Sequence, residues 1–128
     1  MNKLGELGTG GRSLKISVIT PSYNQGHFLR QTIESVLSQK GDFDLEYIVI
    51  DGGSTDETME ILRSYGDRIR WTSQKDEGQT AAINEGFRRA TGDILAWINA
   101  DDVYLSDALG LVADQFAARP DALWLVGE

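Results

Sequence analysis

Two adjacent carboxylates, Asp101 and Asp102, follow an apolar run from Ile94 to Ile98, with Asn99 and Ala100 between. A buried strand that ends on like charges gains little from folding alone, because the pair repels unless a cation sits beside it. A Lys, an Arg or a divalent metal ion would each serve, and hard oxygen ligands of this kind select Mg2+ or Mn2+. Polar residues follow two other apolar runs in the same way. Thr20, Pro21, Ser22, Tyr23 and Asn24 end the first, and Asp51, Gly52, Gly53 and Ser54 end the second. A flat ring, a lone carboxylate and a carboxylate pair on one rim suit a nucleoside diphosphate. Tyr23 would contact base or ribose, Asp51 would accept hydrogen bonds from base N–H or ribose hydroxyls, and the pair would hold the cation against the diphosphate.

These groups meet only if the chain brings the ends of its strands together. From Lys15 onward, short β-branched runs alternate with stretches of helical period. "KISVIT" reads as a buried strand, and after the turn-prone "PSYNQG" the residues Leu29, Ile33, Val36 and Leu37 mark a helix face. "EYIVI" is a second strand, apolar without alternation, as expected where both faces are covered. Ser54 with Glu57 fits a capping box, ahead of a helix striped by Met59, Leu62 and Tyr65. "RIRWTS" is a third strand, alternating Ile69 and Trp71 with Arg68 and Arg70. A helix from Gln79 to Ala90, with Ile83, Phe87 and Ala90 on one side, leads to the strand "DILAWI". A fourth helix from Ser106 to Ala118 and the apolar run "ALWLV" complete the pattern. This alternation is that of an α/β fold, a mostly parallel open sheet with helices on both faces. Such sheets bind ligands outside the carboxyl ends of their strands.

Bulk properties narrow the field. With 128 residues, 41% of them hydrophobic, the chain suits one domain with a real core. A net charge of -8 and no basic stripe exclude nucleic acid as main partner. There is no cysteine, hence no disulfide, zinc thiolate or cysteine nucleophile, which fits a cytoplasmic location. No apolar run approaches the roughly 20 residues of a membrane span. Residues 1–14 read as a flexible leader, whose "GTGGR" precedes the first strand and so lacks the context of a phosphate loop. Residues 15–128 form the domain.

The stretches "ISVITPSYNQGHFLRQTIESVLSQ", "YIVIDGGSTDET" and "DEGQTAAINEGFRRATGDILAWINADD" together resemble the donor-binding half of family 2 glycosyltransferases, inverting enzymes of the GT-A fold. The resemblance implies transfer from a nucleotide-diphosphate sugar, a UDP-sugar first of all, to a saccharide or lipid-linked acceptor hydroxyl, as in cell-wall or polysaccharide biosynthesis. It implies that Pro21, Tyr23 and Asn24 line the nucleotide pocket, joined by Ser54, Gln79 and Asn84, and that Asp51 reads the base. It places an Asp-x-Asp motif where this chain has "NADD", so Asp101 becomes the expected metal ligand and Asp102 the close alternative. Asn99 departs from that motif, and Ile83 stands where many members carry an arginine. The general base of such an enzyme lies beyond the donor half, and therefore beyond Glu128. Membrane contact, if any, would come through the acceptor or through segments outside this sequence.

Plainer roles compete at several positions. Ser54, Thr55 and Asp56 equally suit a helix cap, as do Asp76 and Gln79. Asp101 and Asp102 also fit a solvated turn, and Asn84 with Gly78 and Gly86 fits close packing of helix on sheet. His27, the only histidine, reads as a surface residue near a helix start. A non-catalytic nucleotide-binding module of the same fold is the alternative to the enzyme.

Overall fold

The computed structural model describes residues 14–118 and 125–126, so the expectation of a flexible leader lies, apart from Leu14, outside the described residues. Its five strands are β1 (Lys15–Ser22), β2 (Asp44–Asp51), β3 (Arg70–Ser73), β4 (Ile94–Trp97) and β5 (Leu125–Val126). The four α-helices among the described residues are α1 (Gly26–Leu37), α2 (Thr58–Ser64), α3 (Gln79–Arg89) and α4 (Ala108–Ala118). The sheet runs β3-β2-β1-β4-β5 with every pairing parallel. The first two apolar strands sit in the middle, which explains why their runs do not alternate.

The two faces of the sheet carry separate cores. Ile16, Val18, Tyr47, Val49, Ile94 and Ala96 pack with Leu29, Ile33 and Val36 of α1, Ile61 and Leu62 of α2, and Leu109 and Ala113 of α4. On the opposite face Ile19, Ile48 and Ile50 meet Ala82 of α3, with Phe87, Ala90 and Trp97 around them. Helix α3 lies so close to β1 that a Cβ at Gly86 would stand 2.3 Å from Ile19 Cγ2. Gly86 therefore serves close packing of helix on sheet. No described helix is long and apolar enough to cross a membrane.

Several boundaries differ from the sequence reading. β1 continues through Pro21 and Ser22, the first two residues of the turn-prone "PSYNQG". Along β1 the carbonyls of Leu14 and Ser22 bond toward β2, and those of Lys15 and Ile19 toward β4. The missing N–H of Pro21 thus faces β4 beyond the end of its ladder, where no bond is lost. Arg68 belongs to a 3-10 turn, Gly66–Arg68, so β3 is shorter than "RIRWTS" suggested. The Ser54–Glu57 capping box does not form, and α2 begins at Thr58 without a side-chain cap on its N-cap residue Glu57. Asp56 takes that duty instead, accepting from Thr58 N at 3.0 Å and from Gly26 N at 2.9 Å, so one carboxylate serves the starts of α2 and α1. Burial pushes its carboxyl upward, but bonds from Thr58 and Gly26 outweigh it and hold the group below the usual aspartate value.

At the amino ends of the strands, Glu46 fastens four segments. Its Oε1 accepts from Ser17 Oγ at 2.7 Å and from Thr91 N at 2.8 Å, while Oε2 pairs with Arg70. Burial alone would raise its pKa, yet the bonds from Thr91, Ser17 and Arg70 together bring it down to about 2. A carboxyl depressed in the folded state stabilises above its unfolded pKa and loses that contribution as pH falls through the folded value. Glu46→Gln is therefore expected to cost roughly 2–3 kcal/mol at pH 7. Urea unfolding of both proteins from pH 7 down to pH 3 should show the gap narrowing below about pH 4.5. A gap independent of pH would exclude ionised Glu46 as the cause.

Candidate functional site

Strand order reverses at β1, which has β2 on one side and β4 on the other. Connections leave these carboxyl ends in opposite directions, and the crevice between them is the expected ligand site of an open parallel sheet. A cavity of about 660 Å³ lies there. Its walls come from Pro21, Ser22, Tyr23 and Gln25 after β1, and from Gly52 and Gly53 after β2. Asn99, Ala100 and Asp101 contribute after β4. Lys75, Asp76, Gly78, Gln79 and Ala82 supply the remaining wall, from the end of β3 into α3.

The wall after β2 is held from below by Asp51. This carboxylate is fully buried and is not among the cavity-lining residues. Its Oδ2 accepts from Gly53 N at 3.1 Å, Ser54 N at 2.8 Å and Ser73 Oγ at 2.7 Å, while Oδ1 accepts from Ser54 Oγ at 2.6 Å. Ser54 in turn accepts from Asn24 N at 2.8 Å, and Asn24 Oδ1 accepts from Thr55 N at 2.8 Å. Asn24 holds a positive φ of 51°, a conformation Asn tolerates better than most residues. Through this chain the ends of β1, β2 and β3 become one unit. Ser54 and Asn24 act within it, outside the cavity surface.

The opposite wall is fastened across α3. Gln79, the first residue of that helix, donates from Nε2 to Asn99 Oδ1 at 2.6 Å. Neither Gln79 nor Asp76 caps α3 by a side-chain bond to its N-cap residue's partners; Asp76 Oδ1 instead accepts from Gly78 N in a local turn at 3.0 Å. Asn84 lies on the exposed side of α3 and does not line the cavity.

Of the carboxylate pair, Asp101 is exposed on the cavity wall, whereas Asp102 is half-buried and outside it. The Asp102 carbonyl lies 2.6 Å from Thr32 Oγ1, and that of Ala100 lies 2.9 Å from the same hydroxyl. A buried threonine of α1 thus pins the loop that presents Asp101. Among the described residues no three His, Cys, Asp or Glu side chains gather closely enough to hold a metal ion alone. One exposed carboxylate on the cavity wall fits a hard divalent cation that takes its other ligands from a bound diphosphate and water. Asp101 would hold such an ion, and Asn99, bound to Gln79, would support the loop.

Lys75 has no role in the sequence reading, Asp76 stands there only as a cap candidate, and Thr32 is absent from it. The first two were within reach, because the strand-end rule that found Asp51 and Asp101 applies equally to β3, whose end is "SQKDEG". Thr32 carried no signal, since a threonine inside a helix announces a tertiary partner only once that partner is in place. His27 is exposed, outside this cavity, with its ring edge-on to Phe28 at 4.9 Å.

The family model of glycosyl transferase family 2 matches residues 17–126. An uncharacterized glycosyltransferase of Nostoc sp. is 36% identical over 107 residues, covering 80% of this chain and 33% of that protein. The fold is that of Staphylococcus aureus TarS, solved as residues 1–349 with UDP-GlcNAc, at a TM-score of 0.75 and 24% identity over 84% of this chain and 32% of that one. The mannosyltransferase PcManGT of Pyrobaculum calidifontis, solved with GDP-Man and Mn2+, superposes with a TM-score of 0.70 at 26% identity, covering 80% of this chain and 32% of its own. The chain thus spans about a third of the length of these proteins.

Proposed function

The chain belongs to glycosyl transferase family 2, and on that premise we propose that it binds a nucleoside-diphosphate sugar for transfer of the sugar to an acceptor hydroxyl. The observation that carries this reading is the cavity at the strand-order reversal, with an exposed aromatic ring at one wall and an exposed carboxylate at another. PcManGT, related in fold and 26% identical, was solved with a nucleotide sugar and Mn2+, which supports a donor of this class and a divalent ion.

Within the proposal each residue has a defined task. Tyr23, 59% exposed, offers its ring to base or ribose, and Pro21 lines the same cavity. Asp51 acts on the nucleotide through the wall it holds, keeping Gly52 and Gly53 where a ligand can approach the backbone closely. Gln79 and Asn99 steady the β4 loop, and Asp101 faces the diphosphate, with Asp102 next to it in sequence. Ser54 and Asn24 support this frame from outside the cavity, and Asn84 lies on the exposed side of α3. A bound Mg2+ or Mn2+ would neutralise the diphosphate and stabilise it as leaving group. Inversion at the transferred carbon, a base outside this sequence, a saccharide or lipid-linked acceptor and a cytoplasmic setting complete the reading.

Calorimetric titration of the chain with UDP, GDP, dTDP and CDP, with and without Mn2+, tests it. One nucleotide should bind clearly more tightly than the rest, and Mn2+ should strengthen it. Absence of binding to all four in both conditions would end the proposal.

A further inference from the structure

Within the loop between β4 and α4, Asp102 N donates to Asn99 O at 3.1 Å, which makes a turn with Ala100 and Asp101 at its centre. A further set of tethers reaches this loop from α1 and the turn that ends it. Thr32 Oγ1 lies 2.9 Å from Ala100 O and 2.6 Å from Asp102 O. Ser35 Oγ accepts from Tyr104 N at 3.2 Å. Gln39 Nε2 donates to Leu105 O at 2.6 Å, and its Oε1 accepts from Leu109 N at 2.9 Å. Spacings of three and four residues set these side chains in one row. Backbone groups that have no strand or helix partner thus find their partners on α1.

The Thr32 hydroxyl is committed to the loop and not to its own helix. A helical threonine can turn its hydroxyl to the carbonyl four residues back, but that contact, to Phe28 O, is 3.5 Å, against 2.6 and 2.9 Å to the loop. One hydroxyl proton serves both loop carbonyls, which stand on either side of Asp101. Thr32 is fully buried and its bond to Ala100 O lies in the interior. Loss of the donor leaves a buried carbonyl unsatisfied and favours a loop that has shifted to find another partner. Carbonyls turned to α1 and a carboxylate turned to the cavity are two sides of the same turn, since Asp101 is exposed and lines the cavity.

Building on the nucleotide and metal reading above, we propose that Thr32, with Ser35 and Gln39 in the same row, is a positioning residue for the cation: its hydroxyl fixes the turn that aims Asp101 at the diphosphate. None of the three lines the cavity, so each acts through Asp101. A divalent ion held by one protein carboxylate depends on that carboxylate standing in one place. Whatever fraction of molecules has the turn displaced lowers the apparent affinity by that fraction. The nucleoside rests on the walls after β1 and β2 and makes no use of the turn, which separates this role from general support of the fold.

The test uses the 128-residue chain and calorimetry with UDP, GDP, dTDP and CDP, with and without Mn2+, followed by the nucleoside of the tightest binder. The quantity read is the factor by which Mn2+ strengthens that nucleotide. Thr32→Val keeps the shape of the side chain and loses the hydroxyl, and it should lower the factor about tenfold. Thr32→Ser keeps the hydroxyl and loses a buried methyl, so it should hold the factor within about twofold of wild type even though its melting temperature falls. Nucleoside affinity should be the same in all three proteins. Gln39→Met removes both tethers of a half-buried side chain to the loop, should lower the factor about threefold, and decides the question if Thr32→Val does not fold. An unchanged factor in Thr32→Val, or in Gln39→Met where that variant decides, would overturn the proposal. So would a loss in Thr32→Ser as large as in Thr32→Val, or a nucleoside weakened as much as the nucleotide, since either would follow packing and not the hydroxyl. Wild type that binds no nucleotide, or gains nothing from Mn2+, would instead remove the underlying reading, and this one with it.

Discussion

Asp51→Ala is expected to cost the domain about 3–5 kcal/mol, the largest stability effect of any single substitution at the site. The alanine leaves Gly53 N, Ser54 N, Ser54 Oγ and Ser73 Oγ, all on half-buried residues, without the fully buried carboxylate they share. Each hydrogen bond to a buried charge contributes about 1.5–3 kcal/mol, and the hydroxyls can recover part of the loss by rotating, hence a figure below the plain sum. In a domain of this size that corresponds to a fall in melting temperature of about 15 °C or more. Asp51→Asn keeps one acceptor oxygen and should lose roughly half as much. Nucleoside binding should weaken in both variants in proportion, because the Gly52–Ser54 wall is the part released. Thermal and urea unfolding of the two variants beside wild type decide the matter. An alanine variant as stable as wild type would show that the carboxylate holds nothing together.

Asp101→Ala should show the reverse pattern. Asp101 is exposed and its carboxylate accepts no hydrogen bond among the described residues, so the variant without metal should be as stable as wild type, or slightly more stable because one of two neighbouring negative charges is gone. Its nucleotide binding should change by a large factor only when metal is present. With Mn2+, UDP affinity should fall on the order of 100-fold, about 2.7 kcal/mol, while uridine, which has no diphosphate to bridge, binds as before. Metal with nucleotide should then raise the melting temperature of wild type and not of the variant. Calorimetry and thermal unfolding read these changes without any enzymatic assay. Equal metal-dependent stabilisation of the two proteins would move the ligand to Asp102, and Asp102→Ala would then carry the loss. If neither variant lost it, metal binding at this loop would be excluded.

The two aspartates had looked alike in the sequence. Both follow an apolar run, and by that placement both are expected to face the nucleotide. The fold separates them through what surrounds each. Ser54 and Ser73 lie 3 and 22 residues from Asp51, and only the second distance requires the parallel pairing of β2 with β3 to close. That pairing surrounds Asp51 with donors, whereas Asp101 lies on a loop held through its neighbours' carbonyls by Thr32 and keeps its own carboxylate in solvent. A similar lesson comes from Ser54, a cap candidate by its spacing to Glu57. In the fold its hydroxyl bridges Asp51 and Asn24, since a buried carboxylate attracts a donor more strongly than a solvated helix start does.

By itself the sequence determined that β-branched runs and helical stripes alternate, that the sheet is parallel and covered on both faces, and that polar residues collect behind its strands. Those properties follow from local periodicity and from the rule that crossovers between parallel strands share one hand, so they need no knowledge of distant contacts. Only the tertiary structure decided the order β3-β2-β1-β4-β5, and with it which strand ends border one cavity. Strand order depends on which apolar faces bury each other across tens of residues, and no local pattern encodes that choice. It is this order that brings Lys75 and Asp101 to one cavity, buries Asp51 behind its wall, and joins Gln79 to Asn99 across 20 residues of chain.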